Sequence, residues 1–455
     1  EVFQGRMKTL SFKIFSGLLF RRNDAKDLAD AEKLNIKALD AVVVNFYPFE
    51  KNMDKNLSTE ELTELIDIGG PALVRAAAKN APDVLVLTSA DQYSAVIQDI
   101  QSSGSVQKST AQKCASESWD VIAGYDLAIQ SVFGANSLAL KYGENPHQTA
   151  KLKVQKNSPL DWLNPVTANP LSYNNILDIS AGFLLAQDLK KILPESNHVI
   201  IVKHNNPCGA ASVDKSVENS QLAALELAWN GDPVSAFGGI CIFSEKVEPA
   251  CLKFLEKYFI EAIAAPDLNA ATMTEILKAR KNLKAISIRH WQNETQLQQT
   301  TVVGGTLLQS PDHILLQKEE CVTQRPWPKE LQKISQFGTA IVKSLKSNAV
   351  CIVHQPQPQR FQLLGTGHGL TNRIDCIEKL AIPRAQKILG SSELKNCVLI
   401  SDAFFPFPDS VEICKKGSIE YIVQPGGSIK DQQVIAACNE LNISMILTGT
   451  RHFKH

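Results

Sequence analysis

An adjacent lysine and histidine, Lys203 and His204, follow the apolar, β-branched residues 199–202 and precede Asn-Asn-Pro-Cys-Gly. The apolar run predicts a buried strand, and the Asn, Pro and Gly residues predict a turn directly after it. Such a strand would present a cation and an imidazole together on a rigid support. Histidine can transfer a proton near neutral pH, and a neighbouring lysine can lower its pKa and hold an anion. Because an isolated Lys-His pair is more often a solvated strand end, other segments must decide its role.

Glycine-rich segments at 232–239, 365–373 and 424–428 could direct backbone N–H groups at an anion. Each is weak evidence alone, because tight turns need glycine for steric reasons. The segment 365–373 contains Gly-x-Gly-x-Gly without the Rossmann spacing, so we infer no dinucleotide site. Residues 401–409 carry three phenylalanines that could form a slot for a flat ring, although at least one is expected to fill the core. Asn348 precedes a predicted strand, where its amide could satisfy backbone groups or orient a ligand carboxamide.

The composition limits the class of protein. The chain has 455 residues and 44% hydrophobic content, which predicts two to three domains with sizeable cores. Its formal net charge of +0 provides no basic field, so a nucleic acid partner is not expected. The ten cysteines are scattered without a CxxC, which predicts no zinc site and fits a reducing cytoplasm. No run of 18 apolar residues occurs, so no membrane partner is expected.

The order of elements predicts an α/β fold. Strand and helix patterns alternate over residues 1–135, which favours a parallel sheet, and Ser58 with Glu61 predicts a capped helix start. Residues of about 310–330 are polar and contain proline, which is typical of a linker between two halves. We therefore predict domains at 1–135, 136–320 and 321–455.

Several segments together, in chain order, resemble one family. They are residues 6–10, 45–49, 66–70, 75–80, 141–148, 171–175, 203–204 and 401–407, with the terminal Arg-x-Phe-x-His. The family is the bifunctional purine-biosynthesis enzyme that joins 5-aminoimidazole-4-carboxamide ribonucleotide (AICAR) formyltransferase to IMP cyclohydrolase. The resemblance implies a methylglyoxal synthase-like N-terminal domain followed by two cytidine deaminase-like subdomains. It also implies formyl transfer from 10-formyltetrahydrofolate to AICAR, and closure of formyl-AICAR to IMP.

The resemblance implies residue roles that fit this chemistry. The acceptor amine is conjugated to the ring, so it needs a base, and the tetrahedral oxyanion needs a donor. His204 would transfer the proton. Lys203 would stabilise the oxyanion or tune the pKa of His204, and Asn348 would orient the carboxamide. Nucleotide and folate would be bound by Lys141, Tyr142, Gly238, Glu261, Arg373, Ile374, Phe404, Asp409 and, for phosphate, Arg451. The implied cyclohydrolase residues are Lys8, Tyr47, Asp67 and Lys79.

The resemblance further implies a homodimer with transformylase sites built across the interface. It also implies a structural potassium ion near Asp402 and a terminal His455 that is ordered rather than loose.

The chain also departs from the family pattern. The family's N-terminal domain starts earlier, with the phosphate loops Ser-x-x-Asp-Lys-Thr-Gly and Ser-Thr-Gly-Gly, so we expect this domain to be incomplete. Residues 8–15 read KTLSFKIF where two histidines and a proline are usual, which predicts a damaged cyclohydrolase site. Residues 370–372, Leu-Thr-Asn, replace the usual Gln-x-Ser and predict altered folate contacts.

Two other functions stay open at this stage. One is a non-catalytic nucleotide-binding relative, which would be expected to have lost Lys203 or His204. The other is an amidohydrolase that uses Cys208 as nucleophile beside His204.

Overall fold

The computed structural model describes residues 6–53, 55, 57–134, 137–291 and 297–455. The chain divides between Ser137 and Leu138 into two compact units. Both contain helices and strands, which confirms the predicted α/β class. No helix in the described part of the chain combines the length and apolar character needed to cross a bilayer.

The N-terminal unit packs helices around a short parallel pair of strands. Its elements are α1 Phe12–Leu19, α2 Ala25–Lys33, β1 Ala41–Val43, α3 Thr59–Glu64, α4 Gly69–Lys79, β2 Leu85–Leu87, α5 Tyr93–Ser103 and α6 Lys108–Phe133. Strands β1 and β2 are parallel, as predicted, with Ala41 opposite Leu85. Ser58 and Glu61 form the predicted capping box at the start of α3.

The C-terminal unit is built on one large mixed sheet. The strands of this unit are β3 Ser137–Leu140, β4 Ala150–Lys153, β5 Ser196–Lys203, β6 Asn206–Asp214, β7 Ile240–Phe243, β8 Ala262–Pro266, β9 Lys284–Ile288, β10 Gln298–Val302, β11 Gly305–Gln309, β12 Glu320–Cys321, β13 Val350–Gln357, β14 Arg360–Gly367, β15 Val398–Ser401, β16 Tyr421–Gln424 and β17 Ser444–Leu447. Strands β3 and β4 form one separate two-stranded sheet, and β10 and β11 form another. Its helices are α7 Tyr173–Ile192, α8 Ser220–Gly231, α9 Pro233–Ala236, α10 Pro249–Leu255, α11 Ala270–Ala279, α12 Gln332–Ser344, α13 Arg373–Asp375, α14 Ile382–Leu389, α15 Asp409–Lys416 and α16 Asp431–Glu440. A π-helical turn, Cys376–Ala381, joins α13 to α14.

The large sheet contains the same five-strand arrangement twice. The strand order is β12-β17-β16-β15-β13-β14-β6-β5-β7-β8-β9. In each half a hairpin (β5–β6 or β13–β14) is followed by one antiparallel and then two parallel strands. The halves join where β14 pairs with β6. The helices that precede the hairpins, α7 and α12, pack together, and Lys343 bonds Asp188 across them at 2.9 Å.

This topology brings the predicted transformylase segments to one end of the strands. The register makes β5, β14 and β15 run in one direction and β13, β7 and β8 in the other. The last residues of the first set therefore lie at the same end as the first residues of the second set. Four strand steps separate β5 from β15, which corresponds to about 19 Å.

Two predicted turns are wrong in extent. Strand β6 already begins at Asn206, so the turn after Lys203 is shorter than Asn-Asn-Pro-Cys-Gly suggested, and β14 continues through Gly367. At Gly209 and Gly367 an added Cβ would collide with the carbonyl oxygens of Ala228 and Cys376. These glycines therefore permit close packing of helix on strand rather than a turn.

Candidate functional site

The Lys203–His204 segment ends β5 in a tight left-handed turn. His204 and Asn205 have φ of 53° and 65°, a conformation that costs non-glycine residues about 1–3 kcal/mol each. Asp178 of α7 holds this turn: its Oδ2 accepts the His204 N–H at 3.2 Å and its Oδ1 accepts the Asn205 N–H at 2.5 Å. The turn leaves His204 exposed at the tip of the β5–β6 hairpin.

Lys203 is directed toward the turn that contains Gly238. Its Nζ donates to the Phe237 carbonyl at 2.7 Å. Gly238 has φ of 74°, and a Cβ added there would lie 3.9 Å from the Lys203 Nζ. The structure thus brings two of the predicted residues together.

Glu261 lies at the start of β8, two strands from β5. Its Oε2 accepts the Asn175 side-chain amide at 2.6 Å, and the Asn175 Oδ1 accepts the Lys284 ammonium at 2.7 Å. We call Lys203, His204, Gly238 and Glu261 the β5 cluster.

A second group forms around Arg373, at the same end of the strands. The Arg373 guanidinium donates to Asn348 Oδ1 at 2.9 Å, to Asp402 Oδ1 at 2.9 Å and to the Phe404 carbonyl at 3.0 Å. The Asn348 Nδ2 donates to the Leu370 carbonyl at 3.1 Å. We call Asn348, Arg373, Asp402 and Phe404 the β13 cluster.

Four other predicted residues of the C-terminal unit lie in three further segments. Ile374 follows Arg373 in α13 and its N–H donates to Asn372 Oδ1 at 2.9 Å. Asp409 opens α15 and accepts the Ser410 N–H at 2.7 Å. Lys141 and Tyr142 follow β3, with the Lys141 Nζ 5.8 Å from the Tyr142 ring centre.

The C-terminal tail is docked on the β13 cluster. His452, which is 3% exposed, donates its backbone N–H to the Asp402 carbonyl at 2.9 Å. Its ring nitrogens lie 2.9 Å from Asp312 Oδ2 and 2.7 Å from the Leu315 carbonyl. Burial raises the pKa of Asp312, but the hydrogen bond and charge of His452 outweigh burial and hold that pKa below its ordinary value.

The residues at either side of His452 stay near the surface. Arg451 is exposed, with its guanidinium 4.6 Å from the Phe453 ring centre, and the His455 ring lies 5.9 Å from the same ring. Sequence reasoning singled out Arg451 and His455 and missed His452, whose only signal was its place inside the terminal motif.

The three phenylalanines of residues 401–409 have different roles. Phe405 is fully buried and its N–H donates to Gln424 Oε1 at 2.9 Å, which confirms that at least one of them fills the core. Phe404 is half-buried. Phe407 is 48% exposed, and the Lys430 ammonium lies over its ring, 4.0 Å from the centre of the Phe407 ring.

Cys208 has the environment of a structural thiol. It donates to the Ile201 carbonyl at 3.4 Å, and burial raises its pKa to about 12. Because the thiolate is the nucleophilic form, this environment argues against the amidohydrolase alternative.

A cavity of about 230 Å³ adjoins His204, where β6 and β14 diverge beyond their paired residues. Asp232, His368 and Arg384 contribute to its walls, and the sequence had assigned none of them a role. Burial, with a smaller effect of Arg384, lowers the pKa of His368.

A separate pocket of about 690 Å³ lies in the N-terminal unit and is lined by Lys8, Tyr47 and Asp67. Asp67 Oδ1 accepts the Gly70 N–H at 2.8 Å, and its own N–H donates to the Tyr125 hydroxyl at 2.6 Å. A Cβ on Gly70 would collide with the Asp67 carboxylate. Lys79 ends α4, about 15 Å along the helix axis from Gly69, and is not among the residues that line this pocket.

These geometries define a chain with two separate candidate active sites, one in each unit. The family model of the AICARFT/IMPCHase bienzyme matches residues 77–384. Bifunctional purine biosynthesis protein PurH of Aquifex aeolicus (strain VF5) is 39% identical, over 100% of this chain and 89% of that protein. The proteins of the same name from Clostridium botulinum (strain Kyoto / Type A2) and Prochlorococcus marinus (strain NATL1A) are 37% and 39% identical, with the same coverage.

The match to the crystal structure of ForH covers 29% of this chain and 70% of the ForH chain, at 27% identity. Its TM-score of 0.25 is too low to carry an argument about the fold. The family match and the relatives establish the class: this chain belongs to the AICARFT/IMPCHase bienzyme family.

Proposed function

We propose that the C-terminal unit transfers the formyl group of 10-formyltetrahydrofolate to the 5-amine of AICAR, and that the N-terminal unit closes formyl-AICAR to IMP although residues 8–15 depart from the family pattern. As a member of its family, the chain is an enzyme of purine biosynthesis with formyltransferase and cyclohydrolase activities. The observation that carries the formyltransferase assignment is the held turn that presents Lys203 and His204 together at one end of the large sheet.

The transfer can be written with these residues. The AICAR amine attacks the formyl carbon, and His204 accepts the proton that the amine loses. Lys203 donates one hydrogen to Phe237, and an ammonium has three, so two remain for the tetrahedral oxyanion. Collapse of the adduct breaks the bond to N10 of the folate, which takes up a proton as tetrahydrofolate leaves.

Asn348 would orient the AICAR carboxamide. Arg373 holds its Oδ1, and the Leu370 carbonyl takes one hydrogen of its Nδ2. An amide nitrogen has a second hydrogen, which is then available for the substrate's carboxamide oxygen. Lys141, Tyr142, Ile374, Phe404, Asp409 and Arg451 would complete the nucleotide and folate contacts.

The separation of the clusters supports an active site shared between two copies. His204 follows β5 and Asp402 follows β15, four strand steps away, a span of about 19 Å. One nucleotide is too short to place its reacting amine against both clusters in a single chain. We therefore propose a homodimer in which the β5 cluster of one protomer faces the β13 cluster of its partner.

A heterodimer experiment tests this proposal. His204→Ala and Asn348→Ala homodimers are each expected to lose formyl transfer. A heterodimer, purified through two different tags, would have one intact site and one site with both substitutions. It should regain about half of the wild-type activity per dimer, because a two-fold dimer has two equivalent sites. A heterodimer as inactive as its parents would contradict sites built across the interface.

For the cyclohydrolase reaction we propose that Lys8, Tyr47 and Asp67 bind formyl-AICAR in the N-terminal pocket. The carboxamide nitrogen attacks the formyl carbon, and the adduct then loses water to give the purine ring. Lys79 is proposed from the family resemblance alone.

We also propose the finer architecture and setting. The two five-strand repeats support cytidine deaminase-like subdomains at 136–320 and 321–455, after a methylglyoxal synthase-like domain at 1–135. The ten free cysteines are in keeping with a cytoplasmic location.

The proposed potassium ion would lie near Asp402. This carboxylate already accepts from Arg373, and its Oδ2 accepts the Ser347 hydroxyl at 2.6 Å. The carboxylate and hydroxyl oxygens are suitable ligands for a hard cation. Such a cation would bind through their remaining lone pairs and would have a structural role.

A further inference from the structure

Two polar residues on α7 contact different residues of the β5 cluster. Asn175 and Asp178 are three residues apart, so their side chains lie on one face of the helix. Asn175 bonds Glu261, and Asp178 bonds the backbone of His204 and Asn205. Asn175 belongs to the segment 171–175 that carries the family resemblance, but the sequence analysis assigned no role to Asn175 or Asp178.

We propose that α7 is the positioning element of the formyltransferase site: Asp178 fixes the turn that carries His204, and Asn175 fixes Glu261. This inference rests on the proposed roles of His204 and Glu261. Neither Asn175 nor Asp178 is assigned to the reacting atoms, so each acts through the residue that it holds.

The case for Asp178 comes from the turn it holds. Two consecutive non-glycine residues in the left-handed region persist only where the surroundings determine them. A carboxylate can accept both N–H groups, whereas an asparagine would turn an N–H donor toward one of them. Burial raises the pKa of Asp178, and these two N–H groups oppose that effect by stabilising its charged form.

The case for Asn175 comes from the three partners of its side chain. Its Nδ2 donates to Glu261 at 2.6 Å, while its Oδ1 accepts from Lys284 at 2.7 Å and from the Ser172 N–H at 3.1 Å. The amide therefore sets the direction of the Glu261 carboxylate. A carboxylate can accept hydrogen bonds from ribose hydroxyls, so we assign Glu261 to the ribose of AICAR.

Two substitutions separate these effects. Asp178→Asn should lower kcat for formyl transfer about 10- to 100-fold, with the AICAR KM within about twofold, because a displaced base slows chemistry more than binding. Asn175→Asp keeps the acceptor for Ser172 and Lys284 but faces Glu261 with a like charge. It should raise the AICAR KM about tenfold with kcat nearly unchanged.

Asp188→Asn is the matched control. Asp188 lies on the same helix and bonds Lys343 rather than a residue of either cluster, so this variant should keep wild-type kcat and KM. If all three variants showed the same fall in kcat and the same rise in KM, the inference would be overturned, because this result would indicate general damage to α7.

His204→Ala and Glu261→Gln, assayed in parallel, separate the failure of this inference from that of the proposed function. Wild-type kcat in His204→Ala would remove the role of His204 itself. An inactive His204→Ala together with wild-type kcat in Asp178→Asn would remove only the positioning role of Asp178. A normal KM in Asn175→Asp with a raised KM in Glu261→Gln would remove only that of Asn175.

Discussion

Arg373 and Asp402 form a buried ion pair, with Nη2 and Oδ1 2.9 Å apart and side-chain exposures of 9% and 0%. The same guanidinium holds Asn348 and the Phe404 carbonyl. Asp402 also receives the Ser347 hydroxyl through its carboxylate and the His452 N–H through its carbonyl. This pair therefore connects three separate loops and the C-terminal tail.

Arg373→Ala should destabilise the C-terminal unit by about 3–5 kcal/mol, because it leaves a buried carboxylate without its partner. Urea unfolding followed by circular dichroism would measure the loss. Arg373→Ala with Asp402→Asn should recover part of it, since the uncompensated charge is gone. Lys278→Ala, which breaks an exposed pair with Glu275, should change stability by less than about 1 kcal/mol. An equal effect at both sites would argue against the buried pair as an organising contact.

Replacing His204 with alanine should lower kcat for formyl transfer by about 10²- to 10⁴-fold, the usual range for loss of a general base. The AICAR KM and the melting temperature should stay near wild type, because the residue is exposed at a hairpin tip. Steady-state kinetics and differential scanning calorimetry provide the two readouts. A large loss of stability would assign His204 a structural role instead.

The helix patterns and the Lys-His pair could be predicted from the sequence because they depend on neighbouring residues. The long helix α6 and the capping box at Ser58 are local features of this kind. The exact turn after Lys203 could not be predicted, because it is held by Asp178, which is 26 residues away from His204 in sequence. The extent of β14 was missed because its glycines serve helix packing.

The joining of the two repeats through β6 and β14 was also beyond the sequence. It depends on strand pairing between segments that are about 150 residues apart, and no local pattern records it. Of the four expected cyclohydrolase residues the structure brings Lys8, Tyr47 and Asp67 to one pocket, whereas Lys79 lies at the far end of α4.

Gly70→Ala should impair IMP formation without affecting formyl transfer, because the new methyl group would displace the Asp67 carboxylate. A loss of about tenfold or more in kcat/KM for formyl-AICAR is expected from such a displacement. Gly124→Ala is the matched control, since its Cβ would meet no atom closer than 3.9 Å. Normal IMP formation in Gly70→Ala would remove Asp67 from the proposed site.

Acid should weaken the docking of the tail. The folded pKa of Asp312 lies below its ordinary value, so the stabilising effect of its charge is complete above about pH 4 and is lost as pH falls through the folded pKa. The melting temperature of Asp312→Ala should therefore lie below wild type near pH 5, and the difference should shrink as the pH falls through the folded pKa of Asp312. A difference that grows on acidification would contradict this sign.

The most direct test of the central claim is a spectroscopic assay of the purified chain with AICAR and 10-formyltetrahydrofolate, following the release of tetrahydrofolate. Release that requires AICAR and is lost in His204→Ala is the predicted result. A folded protein that releases no tetrahydrofolate, or a His204→Ala variant that releases it at the wild-type rate, would contradict the account.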